Sequence, residues 1–117
     1  MSYSYWADGG AYTDYRCFVW GTGANLLQRL APAAGGTIDG VSYGHGYDPI
    51  SGQHRGGGRI ACPHIPVRVE ASAAFSAGAQ LETLADGRVK AVAGGTAVLK
   101  ALEASSGAGA IVWAVFL

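Results

Sequence analysis

From Val67 onward the sequence follows a period of two. Val67, Val69, Ala71 and Ala73 alternate with Arg68, Glu70 and Ser72, which is the spacing of a strand with one buried face. Residues 80–84 alternate again, Asp86-Gly87 supplies a hairpin turn, and residues 88–92 alternate after it. Ala77-Gly78 and Gly94-Gly95 break the chain between these runs. Residues 111–117 are an unbroken β-branched and aromatic run, suited to a strand buried on both faces. One segment conflicts with this pattern. Residues 96–105 are built of good helix formers, and Val98, Leu99 and Leu102 would share one helical face.

The chain has 117 residues, the length of one domain. Half of it is hydrophobic, so it can bury a core and does not read as disordered. Charged residues make up 14%, against roughly 25% in average soluble proteins. A surface with so little charge is read as one that is covered in the working state. Eight basic residues balance eight acidic ones, and the arginines and lysines are spread along the chain. Phosphate-backbone binding needs a basic surplus or stripe, so no nucleic-acid partner is expected. The first residues show neither a positive n-region nor an apolar h-region, and no secretory signal is expected. A seven-residue apolar run, 111–117, falls short of the roughly 20 residues of a membrane helix. No membrane partner is expected. Cys17 and Cys62 form no disulfide framework, and the reading is of reduced, buried thiols in a protein made in the cytoplasm.

The amino-terminal part is aromatic. Tyr3, Tyr5, Trp6, Tyr12, Tyr15, Phe18 and Trp20 all fall within the first 20 residues. Residues 1–16 are read as an extended arm and 17–117 as a single β domain. An arm with this much aromatic surface packs onto something: its own domain, a sister subunit or a different partner. Residues 24–31 suit a short helix or a strand. Residues 43–66, with several glycines, three prolines and all three histidines, read as a long glycine-rich loop. Gly35-Gly36-Thr37-Ile38 faintly echoes Gly94-Gly95-Thr96-Ala97, as two copies of a small β unit would.

The carboxy-terminal half carries a further pattern. An alanine–glycine opening at 71–81 leads to Asp86-Gly87-Arg88-Val89-Lys90-Ala91. Ala101-Leu102-Glu103-Ala104-Ser105 follows, and then a final apolar strand containing Ile111-Val112-Trp113. Over residues 67–117 this resembles the capsid decoration, or cement, proteins of tailed phages. The resemblance implies an all-β fold, a small β-barrel or β-sandwich, often trimeric, on the outer surface of the expanded head. It also implies that residues 99–104 are a strand, against their helical propensity. The long 43–66 stretch and the arm depart from the family pattern and leave the mode of attachment open.

No constellation points to catalysis. His45, His54, Cys62 and His64 lie within twenty residues, but their spacing matches no usual zinc pattern, so neither a metal nor a cofactor is expected. A cysteine–histidine nucleophile pair lacks an orienting partner. Glu70, Glu82 and Glu103 sit among alternating apolar residues and read as an outward face. Gly21-Thr22-Gly23 and Gly56-Gly57-Gly58 lack the lysine of a phosphate loop. The expected function is therefore non-enzymatic: a decoration protein that binds the outer surface of the assembled head, as a homotrimer, and stabilises the lattice of the major capsid protein. Tyr3, Tyr5, Trp6, Tyr12, Tyr15, Ile111, Trp113 and Phe116 are the expected capsid or subunit interface. The alternative is a receptor- or glycan-binding fibre or spike module, since exposed Tyr and Trp also stack on sugars.

Overall fold

The alternation that begins at Val67 builds a five-stranded antiparallel sheet, and a second such sheet packs beside it. The computed structural model describes residues 2–6, 14–21, 29–48 and 53–117, with side chains placed at 14–21, 30–43 and 58–117. The first sheet holds β1 (Ser2–Trp6), β2 (Cys17–Trp20), β3 (Arg29–Leu30), β4 (Gly40–Asp48) and β5 (Gln53–Ile60), in the order β1-β5-β4-β2-β3. The other holds β6 (Pro66–Glu70), β7 (Gln80–Thr83), β8 (Val89–Ala91), β9 (Leu99–Ala101) and β10 (Ile111–Phe116), in the order β6-β10-β9-β7-β8. Among the described residues there is no helix. The fold is all-β, as expected, and sandwich-like. The edges of the second sheet touch at a single bridge, Ala71 to Val89, without closing into a barrel.

Each strand of the second sheet sends alternate side chains inward. Val67 and Val69, Val112, Ala114 and Phe116, Leu99 and Ala101, Leu81 and Val89 meet in one buried cluster, to which the first sheet adds Cys17 and Val41. The hairpin at Asp86-Gly87 forms as expected: Gly87 takes a φ of 87°, and the Leu84 N–H donates to the Arg88 carbonyl at 2.7 Å. Residues 99–101 are strand β9, which pairs with β10 on one side and β7 on the other. Burial of Leu99 and Ala101 outweighs the helical propensity of the segment.

Three expectations are corrected. Residues 43–66 are not a long loop, because β4 and β5 pair through most of that stretch, with a register shift between Tyr43 and Gly46. Composition misled here because β5 lies between β1 and β4. Its glycines are held by backbone ladders on both sides, which need no side-chain propensity. Residues 111–117 are not buried on both faces. Ile111 and Trp113 are 41% and 39% exposed, while Val112, Ala114 and Phe116 point into the core. Glu82, read as outward, is only 4% exposed.

The two Gly-Gly turns that echo each other in sequence meet in space, above Glu82. Gly35 donates its N–H to the Thr83 carbonyl at 2.8 Å, and its own carbonyl accepts the Thr96 N–H at 2.9 Å. Glu82 Oε1 accepts the Ala93 N–H at 3.1 Å and lies 3.6 Å from Lys90 Nζ. A Cβ on Gly95 would collide with Glu82 Oε2 and come within 2.7 Å of Gly35 Cα. Glycine is therefore required by the close approach of the two turns. Gly95→Ala is expected to destabilise the fold by about 2–3 kcal/mol in urea denaturation. An unchanged midpoint would mean that the turns can part without loss.

Candidate functional site

Residues 14–17 run along the seam where the two sheets meet. Tyr15 takes the left-handed backbone conformation, φ 63°, which a bulky residue adopts only when its surroundings hold it there. Its N–H donates to the Ser42 carbonyl of β4 at 2.6 Å, and its carbonyl accepts the Glu70 N–H of β6 at 2.8 Å. One residue thus hydrogen-bonds to both sheets. The Arg16 carbonyl accepts the Ser42 N–H at 2.9 Å, and the Cys17 N–H donates to the Gly87 carbonyl at 2.8 Å. The Arg16 guanidinium forks onto Glu70, with Nη2 3.1 Å from Oε2 and Nε 3.4 Å from Oε1, and reaches the Asp86 carbonyl through Nη1 at 3.2 Å. Burial pushes the Asp86 carboxyl up. The Arg88 amide and guanidinium, helped by the charge of Arg16, outweigh that and hold it below the usual carboxylate range.

Beyond Tyr15 the seam opens into a groove of ≈ 230 Å³ lined by Tyr15, Tyr43, Arg59, Pro66, Val67, Arg68 and Trp113. Its aromatic surface comes from both sheets. Arg68 sits directly opposite Trp113 in the β6–β10 register, and its guanidinium lies 4.8 Å from the ring centroid, a cation–π contact. Arg59 and Arg68 are exposed and have no carboxylate partner among the described residues. Two cations over an aromatic and aliphatic surface suit an anionic or carboxylate-bearing partner better than a neutral one.

The expected interface residues fall in four places. Tyr15 and Trp113 come together in the groove. Ile111 lies two residues along β10, exposed on the same face as Trp113. Phe116 is 1% exposed within the core. Tyr3, Tyr5 and Trp6 belong to β1, opposite Gly58, Gly56 and Arg55 of β5, and Tyr12 lies outside the described residues. Sequence reasoning missed Tyr43, Arg59 and Arg68. The outward position of Arg68 was readable from the alternation at 67–73. Tyr43 and Arg59 were obscured by reading 43–66 as a loop. A second cavity, ≈ 360 Å³ beside Glu82, is bounded by the two Gly-Gly turns and Lys90. The carboxylate there is engaged by Lys90 and the Ala93 amide, so the arrangement serves the fold. Among the described residues no cluster of three His, Cys, Asp or Glu side chains is placed to hold a metal, and no helix is long and apolar enough to cross a membrane.

No protein-family description matches this chain. Nor does any curated protein match it in sequence. Among solved structures, it is similar to the head fiber gp8.5 N base of bacteriophage phi29. The TM-score is 0.74 at 18% identity, over 100% of this chain and 93% of that one. The likeness is one of fold, and it spans both sheets.

The two thiols differ, contrary to the expectation that both are buried. Cys17 is fully buried, whereas Cys62 is exposed in the connection between β5 and β6. Burial pushes the Cys17 thiol from its ordinary 9.0 up to about 12, against smaller opposing pulls from the Thr83 side chain and the backbone. The native state therefore holds this proton more tightly than the unfolded chain. Its contribution to stability is complete below pH 9 and is lost as the pH rises toward about 12. At pH 8 a thiol reagent such as Ellman's is expected to titrate Cys62 at once and Cys17 only at the rate of unfolding. Immediate reaction of both would show that the seam opens readily.

Proposed function

We propose that this chain is a structural protein of a tailed-phage head that docks as a rigid β module on the outside of the assembled shell. The observation that carries this reading is the full-length likeness of fold to a head fiber base. The carboxy-terminal resemblance to decoration proteins supports it independently, since it rests on the turn and strand pattern of residues 67–117. The partner is the major capsid protein, and the assembled form is a homotrimer. The role is mechanical and needs no catalytic residue.

The physics of such a role is linkage. A ligand that binds the assembled lattice and not the free subunits shifts the equilibrium toward the lattice. Three linked modules raise avidity with no new chemistry, and closed three-fold symmetry suits a local three-fold position. The low charge content fits a surface that spends its working life covered. A second form of the same reading, the base of a head fibre, is favoured by the identity of the structural neighbour.

Quantitative mass spectrometry of purified virions tests the proposal. A copy number near that of the major capsid protein is expected for a lattice-wide decoration protein. A few copies per hundred capsid subunits would indicate the fibre base. Absence from the virion would overturn the head-protein reading altogether.

A further inference from the structure

The hydrogen-bond ladder of β6 leaves an edge inside the groove that described residues take only in part. The Phe116 N–H donates to the Ile65 carbonyl and the Ala71 N–H to the Ala110 carbonyl, so odd-numbered residues of this strand bond to β10. Even-numbered residues then direct their N–H and carbonyl groups away from it. On that outer edge the Glu70 N–H is taken by the Tyr15 carbonyl. The N–H and carbonyl of Arg68, two residues away, have no partner among the described residues, and these are the residues that line the groove. One residue of the chain's own backbone thus takes this edge at Glu70, and no described residue takes it at Arg68.

We infer that this opening is a docking slot for an extended, carboxylate-bearing segment of the shell protein, which adds its backbone to the β6 edge and sets an acidic side chain between Arg59 and Arg68. This rests on the head-docking reading and names its contact. The open edge calls for an extended backbone, since an unpaired N–H and carbonyl on a strand accept another strand. Charge selects the acid: both cations facing the groove lack carboxylate partners among the described residues, and a basic or wholly apolar strand would leave them desolvated. Pro66 lacks an N–H, so pairing is limited to a short stretch around Arg68, and Trp113 and Tyr43 supply apolar contact on either side. A second copy of this chain is a poor occupant. Among the carboxylates of the described residues, Glu70, Asp86 and Glu82 are engaged by Arg16, Arg88 and Lys90. Asp39 holds the Trp20 N–H, Asp14 is engaged as well, and Asp48 is paired with Gln53 at the hairpin end of β4. Glu103, which is exposed, lies in the turn after β9 and not in a strand.

The test compares wild type, Arg59→Glu, Arg68→Glu and Arg68→Lys in co-sedimentation with heads assembled without this protein, after thermal melts confirm that each variant folds. Each charge reversal is expected to weaken binding by roughly tenfold or more, and Arg68→Lys to retain most of it. A photo-crosslinking residue at Tyr43 is expected to capture an acidic segment of the shell protein. Heads that bind the reversed variants as tightly as wild type would overturn the slot while leaving the head-docking reading intact. If wild type binds no heads, the head-docking reading fails. The slot is then judged by nuclear magnetic resonance with a blocked peptide of alternating threonine and glutamate. Shifts at the Arg68 amide and Trp113 indole, absent with a threonine–lysine peptide, support it, and their absence overturns it. Self-association abolished by Arg68→Glu would assign the groove to a second copy, and glycan binding abolished by it would assign the groove to a saccharide. Either result overturns the proposal.

Discussion

Tyr15 is the residue on which the arrangement of the two sheets depends. Within each sheet the strands are aligned by their own ladder, and a ladder says nothing about where its neighbour lies. The constraint comes from a strained residue whose N–H goes to β4 and whose carbonyl goes to β6. A left-handed tyrosine costs free energy, and it persists because two backbone hydrogen bonds and the Arg16 fork converge on the same short segment. Those bonds are worth more than their number suggests, because each would otherwise leave a backbone group at the seam without a partner. A second tie between the sheets is made differently, by two glycine turns packed against a buried carboxylate. With these two ties in place the core can be assembled mostly from small and branched side chains.

The groove follows from the same geometry. Tyr15 takes the β6 edge at Glu70, and no described residue takes it at Arg68. An open edge is ordinarily a liability, because it templates pairing with any exposed strand. Here it carries a proline at its start and an arginine at its centre, and the arginine lies against Trp113. On the proposed docking, those features disfavour a neutral strand and favour an acidic one, which would satisfy both backbone and charge. A chain with no net charge can therefore still present a locally cationic site, because charge balance over the whole sequence does not limit the balance within one groove.

How much of this was legible in the sequence depended on what fixed each element. The strands at 66–70, 80–83 and 89–91 were readable because their register is set by burial of one face, which alternation records directly. Strand β9 was readable only through a resemblance, because its local composition favours helix and its burial between β7 and β10 decides otherwise. The hairpin of β4 and β5 was not readable. Glycine at 56–58 writes no alternation, and one of the two ladders that hold β5 comes from β1, distant in sequence. The groove was legible only in part: Tyr15 and Trp113 were singled out, but nothing in the chain announces that residues 15, 43, 59, 68 and 113 converge. The glycine echo was visible, yet its meaning was contact between the two turns and not only repetition.

The contrast between Phe116 and Trp113 carries the argument one step further. Both are aromatic residues of the same strand, three positions apart, and the sequence treats them alike. Phe116 completes the core at 1% exposure, while Trp113 remains 39% exposed beneath an arginine. Burial of a tryptophan is the cheaper solution for an isolated domain, and the chain had apolar positions on the inner face at which to place one. Keeping it outside, on a strand paired on both sides and beside an edge that no described residue takes at Arg68, gives up that burial. On the proposed docking, the lost burial would be recovered when the shell covers the ring. That is the expected pattern for an anchor, whose contribution must be absent before assembly and present after it.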